Sequence, residues 1–155
     1  MVEKNKKRRY ALITLLIMLF IFIQSALPGD LSGKESGMIA VFLAKFFGKN
    51  QALFSVFVRK AAHFTEYALL GISMFLYVIE CLRERKRPVG GAWYVIVWAA
   101  GTFYAATDEF HQLFVPGRSG QISDVLIDSA GALGGILLMG IILGNRKKKS
   151  GMRKT

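Results

Sequence analysis

The chain has 155 residues, a net charge of +11 and 53% hydrophobic side chains. A soluble domain of this size cannot bury so much apolar surface, because small domains are surface-rich. The basic excess does not imply nucleic acid. Of 21 Lys and Arg, five lie in VEKNKKRRY, four in LRERKRP and six in NRKKKSGMRKT, all flanking apolar runs.

Lipid is the solvent that suits such a chain. A spanning helix needs ~20 mostly apolar residues. Four segments reach or approach that length: Tyr10–Leu27, Ala61–Ile79, Gly91–Thr107 and Val125–Leu143. An isolated strand could not satisfy its backbone in lipid, so each is read as a helix. The expected fold is an all-α membrane protein: a single domain over residues 1–155, with four transmembrane helices at 10–27, 61–79, 91–107 and 125–143.

Helix 1 follows a basic start, as a signal peptide would. However, QSALPGD lacks a small-x-small cleavage site and the apolar run is long, so an uncleaved helix is expected. PGDLSGKESG, residues 28–37, is a Gly/Ser loop. The next stretch is apolar, but Lys45, Gly48, Lys49 and Asn50 interrupt it where a span would suffer most. Met38–Phe47 is therefore expected as an amphipathic helix lying in the outer interface, between helices 1 and 2.

With four spans, the three basic clusters fall on one face. The positive-inside rule makes that face cytoplasmic, with both termini inside. The basic tail, 145–155, would anchor the topology against anionic lipid. Cys81 is the only cysteine, so no intramolecular disulfide can form. It falls at the inner end of helix 2, where a reduced thiol is expected. Helix 4 carries Gly131 with Gly135, and Gly140 with Gly144. Small residues at spacing four let helix backbones approach closely, within the bundle or in a homo-oligomer through Gly131/Gly135.

The chemistry-bearing residues gather toward the outer face. At ~100° per residue, Lys60, His63 and Tyr67 lie within ~60° of one another on helix 2, with Glu66 ~60° further round. Asp124 and Asp128 are four apart at the outer end of helix 4. Helix 3 delivers Asp108, Glu109, His111 and Gln112, and Arg118 follows in the loop. A carboxylate at the depth of Glu66 costs ~2.5–3.5 kcal/mol or more and must find a partner, a cation or water. An outer polar pocket is expected, capped by FVPGRSGQISD, whose Pro116–Gly117 is a turn signal. Ser123 is expected to cap helix 4, with Asp124 beside the positive end of its dipole.

Within this pocket His63, Glu66, Asp108, Glu109, His111 and Asp124 have the residue types of acid–base catalysis. Lys60, Tyr67, Gln112, Arg118 and Asp128 would hold a ligand, with Lys60 or Arg118 suited to a phosphate or carboxylate. His63, Glu66, Asp108, Glu109 and His111 could hold a divalent metal as cofactor, although no spacing matches a metal signature. Glu66 could instead pair with Lys60 or Arg118. No Gly-x-Ser-x-Gly elbow is present, and Cys81 is on the wrong face. A membrane-embedded hydrolase or transferase is one reading. A non-catalytic binder or transporter of an envelope lipid is another, and a membrane assembly partner a third.

These residues carry a resemblance. FIQSALPGDLSGKESG, RKAAHFTEYALLG and ATDEFHQLFVPGRSGQISDVLIDSAGALGG together look like the VanZ-like family, over about residues 10–144. Lys60, His63, Tyr67, Asp108, Glu109, Gln112, Arg118 and Asp124 match its pattern, and Ala26 stands where a second serine is frequent. The resemblance implies a multi-pass protein of the bacterial plasma membrane, associated with teicoplanin resistance more than vancomycin resistance. It implies no mechanism. Teicoplanin carries a fatty chain and vancomycin does not. The expected partner is thus a membrane lipid or lipid-linked envelope precursor, and not nucleic acid.

Overall fold

A computed structural model describes residues 2–29, 41–42, 45 and 51–152. Among them are four long helices: α1 (Val2–Ala26), α2 (Gln51–Glu84), α3 (Gly91–Gln112) and α4 (Ile122–Met152). The protein is an all-α membrane protein. Asn5–Ala26, Ala52–Glu84 and Ile122–Asn145 are each long and apolar enough to cross a bilayer, with mean hydropathies of 1.9, 1.4 and 2.1. α3, which is not among these three, has 22 residues and carries Asp108, Glu109 and Gln112 in its last turns. The interfacial helix expected over Met38–Phe47 falls almost wholly outside the described residues.

The helices outrun the apolar segments that mark them. α1 begins in the basic start, α2 begins ten residues before Ala61, and α4 continues into the basic tail. Charge ends the lipid-facing part of a helix but not its hydrogen-bond ladder. α2 ends where Lys86 adopts a positive φ of 52°. The amides of Lys86 and Arg87 then donate to the carbonyls of Arg83 and Leu82, closing the helix.

α2 and α4 form the main contact of the bundle, with α1 laid on α2 and α3 on α4. Glycine explains the α2–α4 contact. A Cβ added at Gly131 would strike the Phe64 carbonyl, one at Gly135 the Ala68 carbonyl, and one at Gly71 the Ala132 carbonyl. The sequence leaves these small residues two uses, and the structure assigns Gly131 and Gly135 to packing within one chain. Both are buried against α2. Pairs across this contact fix the direction. From Phe64 with Gly131 to Ala68 with Gly135, and from Lys60 with Asp124 to His63 with Asp128, both numbers rise, so α2 and α4 run parallel, and α3 carries the chain back between them.

The buried apolar residues form two clusters. Ile21, Tyr67, Leu70 and Ala105 make one, and Phe75, Ile79, Val97 and Ile136 the other. Much of the outer surface is also apolar, including Leu15, Leu16 and Phe20 on α1, Phe103 on α3 and Ile141 on α4. A belt of this kind is untenable in water and suits lipid.

Candidate functional site: a polar cluster between α2, α3 and α4

The parallel packing of α2 on α4 brings the expected stripe to its counterpart. Lys60 Nζ lies 2.7 Å from Asp124 Oδ1. One turn deeper, His63 Nδ1 lies 3.7 Å from Asp128 Oδ1, too far for a hydrogen bond. Asp128 is fully buried, and neither of its carboxylate oxygens has a hydrogen-bond partner among the described residues. His63 Nδ1, the Tyr67 hydroxyl and Asp108 Oδ1 are buried and unpartnered in the same way. Tyr67 lies in the field of both Asp108 and Asp128. Glu66 feels Asp108 and Arg118. The sequence offered Lys60 or Arg118 as its ion partner. Lys60 is instead paired with Asp124, and Glu66 makes no ion pair among the described residues.

The end of α3 closes the cluster. Asp108, Glu109 and Gln112 are all buried. The Gln112 side-chain amide donates to Asp108 Oδ2 at 3.2 Å and to Glu109 Oε1 at 3.3 Å. The Gln121 backbone N–H donates to Glu109 Oε2 at 2.9 Å, tying the loop down onto α3. His111 takes another direction. Its ring stacks on Phe22 of α1, with centroids 4.8 Å apart. Its Nδ1 is nonetheless buried with no hydrogen-bond partner among the described residues, as in His63.

The loop after α3 is fixed by hydrogen bonds within itself and to the end of α1. Arg118 N–H donates to the Val115 carbonyl, and Gly117 has a φ of 72°. This is the turn that Pro followed by Gly favours. Gly29 N–H donates to the Pro116 carbonyl, and a Cβ on Gly29 would strike the Gly117 carbonyl. Arg118 completes the clasp. Its Nε donates to the Leu27 carbonyl at 2.8 Å and its Nη2 to the Gln24 carbonyl at 2.6 Å. The third donor, Nη1, reaches Gln112 Oε1 at 3.4 Å. Burial pushes the Arg118 guanidinium below its ordinary pKa, with Asp108 opposing the shift. It stays charged, as arginine does in proteins. Arg118 thus joins the loop to the end of α1. Ser123 is not the helix cap: α4 starts at Ile122, and the Ser123 hydroxyl donates to Gln121 Oε1 and Asp124 Oδ1, each at 3.3 Å.

A cavity of about 70 Å³ opens above this floor, lined by Arg59, His63, Gln112, Arg118, Ser119 and Asp124, with Gly29 and Gly117. It has room for about two waters at ~30 Å³ each. Arg59 and Ser119 were not among the expected ligand groups. The signal for Arg59 was available, since it lies four residues before His63 and hence on the same face. Of the expected metal ligands His63, Glu66, Asp108, Glu109 and His111, the structure gathers no metal-binding set. Among the described residues, no three His, Cys, Asp or Glu side chains are placed to hold an ion.

No curated protein and no solved structure matches the chain. A family model does match, over residues 10–143, and those residues hold every cluster side chain described above. By that match, across nearly the whole chain, the protein belongs to the VanZ/LLP1 family.

Proposed function

We propose that the chain is a single-domain, multi-pass protein of the bacterial plasma membrane, whose outer polar cavity takes the head of a lipid-linked or lipophilic envelope ligand. α3 would be the fourth span. At ~1.5 Å per residue it measures ~33 Å, against a hydrocarbon core of ~30 Å. Because α2 and α4 run parallel, the chain must return between them. Both termini would then be cytoplasmic, with most of the basic residues. The family's association with teicoplanin resistance would follow from binding or altering something at the outer leaflet, where the fatty chain of that drug lodges.

One observation carries the reading. The polar cavity is lined by His63, Gln112, Arg118 and Asp124, and His63, Asp108, Asp128 and Tyr67 carry buried polar atoms with no hydrogen-bond partner among the described residues. Each such atom costs ~1–3 kcal/mol, and a fold serving only its own stability would pair them. Below them the two apolar clusters close the bundle, which favours a one-sided site over a through-pathway. Acid–base chemistry on the bound head is the second reading. It rests on His63 beside Asp128.

The test is expression in a teicoplanin-susceptible Gram-positive host, with inhibitory concentrations of teicoplanin and vancomycin read side by side. The wild type is expected to raise the first selectively. His63→Ala, at equal membrane level, is expected to abolish the rise. An equal rise for both drugs, or none, overturns the reading.

A further inference from the structure

The second glycine pair of α4, Gly140 and Gly144, is not absorbed by the outer site. It lies near the opposite, basic end of the bundle. There the structure holds a larger cavity, of about 230 Å³, between α2, α3 and α4. Its walls are Phe75, Ile79, Val89 and Leu143, and both glycines line it. An added Cβ at Gly140 would strike the Tyr94 hydroxyl, whereas one at Gly144 would meet nothing within 4 Å. Glycine at 144 is therefore not required by helix packing. Its lack of a side chain leaves the chamber open.

The mouth has a different character. Arg83 and Arg87 stand at it, beside Pro88. Arg83 is held by Glu80, Nη1 to Oε1 at 2.6 Å, which leaves its other guanidinium nitrogens without a partner among the described residues. Arg87 is exposed and makes no ion pair among them. The Tyr94 ring packs on Phe75, with centroids 4.6 Å apart, and its hydroxyl has no hydrogen-bond partner among the described residues. A chamber walled by these apolar side chains and also lined by two guanidinium groups and a phenol complements an anionic head joined to a hydrocarbon chain.

We propose that this chamber binds an anionic phospholipid from the leaflet at the basic end. The phosphate lies against Arg83 and Arg87, and the first part of one acyl chain enters between Phe75, Ile79 and Leu143. At ~30 Å³ per water-sized volume the cavity holds only about eight such units. It therefore admits a segment of a lipid and not a whole one. The site is separate from the outer cavity and does not depend on the function proposed there.

The experiment is native mass spectrometry of the full-length protein released from detergent, after equilibration with phosphatidylglycerol or phosphatidylcholine. Retention of one phosphatidylglycerol, in preference to phosphatidylcholine, is expected. Arg87→Gln is expected to weaken retention about tenfold, the scale of one charge-assisted hydrogen bond. Arg87 is exposed, so this variant should fold. Gly144→Phe, which fills the chamber from a position with open space, is expected to abolish retention while the melting temperature holds. Equal retention of the two lipids overturns the proposal. So does retention unchanged in both variants, or displacement of the lipid by soluble glycerol phosphate at matched concentration.

Discussion

His63 Nδ1 lies 3.7 Å from Asp128 Oδ1, and neither atom has a hydrogen-bond partner among the described residues. Two groups suited to proton exchange stand within reach of each other without being joined. A buried carboxylate left unpaired is among the most costly groups a helix can carry. Asp128→Asn keeps the shape and removes the charge. It is expected to leave the melting temperature in micelles unchanged or higher, and to abolish the teicoplanin phenotype proposed above. A fall in melting temperature would instead make Asp128 a structural residue. The two readouts, taken on one preparation, separate these roles.

Arg118 makes the opposite case. Its Nε and Nη2 donate to the Leu27 and Gln24 carbonyls at 2.8 and 2.6 Å. These bonds fasten the loop over the cavity to the end of α1. A lysine reaches one carbonyl as a point charge, whereas the guanidinium fork spans two. Arg118→Lys is expected to cost about 2–3 kcal/mol, the scale of one or two charged hydrogen bonds. Denaturant titration of the reconstituted protein would measure it, and faster proteolysis near Pro28–Gly29 should accompany it. Unchanged stability would return Arg118 to the role of a ligand anchor.

That contrast marks what the sequence could and could not disclose. The stripe of Lys60, His63 and Tyr67 was legible because helical spacing places side chains on a face whatever they touch. Its partners Asp124 and Asp128 were legible for the same reason. The acceptors of Arg118 were not, since they are backbone carbonyls that every residue carries. The pairing of Lys60 with Asp124 instead of Glu66 depends on how α2 is rotated against α4, which the glycines decide. His111 was grouped with the acids of helix 3, and its stacking on Phe22 depends on how α3 sits against α1, which spacing alone does not report. Most helix ends lie beyond the apolar segments, since apolar runs report contact with lipid and a helix can continue past it.

The glycines of α4 make a paired prediction. Gly135→Ala forces a methyl onto the Ala68 carbonyl, and Gly131→Ala does the same at Phe64. Backbone cannot yield as a side chain can, so α2 and α4 must separate. Each substitution is expected to destabilise by about 1–3 kcal/mol, the usual cost of overpacking. Separation also pulls Lys60 from Asp124, so the teicoplanin phenotype should fall with stability. Gly134→Ala meets only the tip of the Phe64 ring, at 3.6 Å, and is expected to be neutral. Thermal unfolding of the three variants compares them directly. If all three behave alike, close packing on α2 is not what these glycines provide.

The direction of the chain has its own test, because native Cys81 is the only thiol. It is partly exposed near the basic end of α2, while Ser119 is exposed in the loop after α3. If α3 crosses the bilayer, these positions lie on opposite sides. In intact cells a membrane-impermeant maleimide is expected to spare Cys81 and to label Ser119→Cys in a Cys81→Ser background. Permeabilisation should then admit label to Cys81. Labelling of both positions in intact cells would mean that α3 does not cross. Protection of Ser119→Cys together with labelling of Cys81 would invert the orientation. The parallel packing of α2 and α4 argues against the first of these outcomes, and the basic clusters argue against the second.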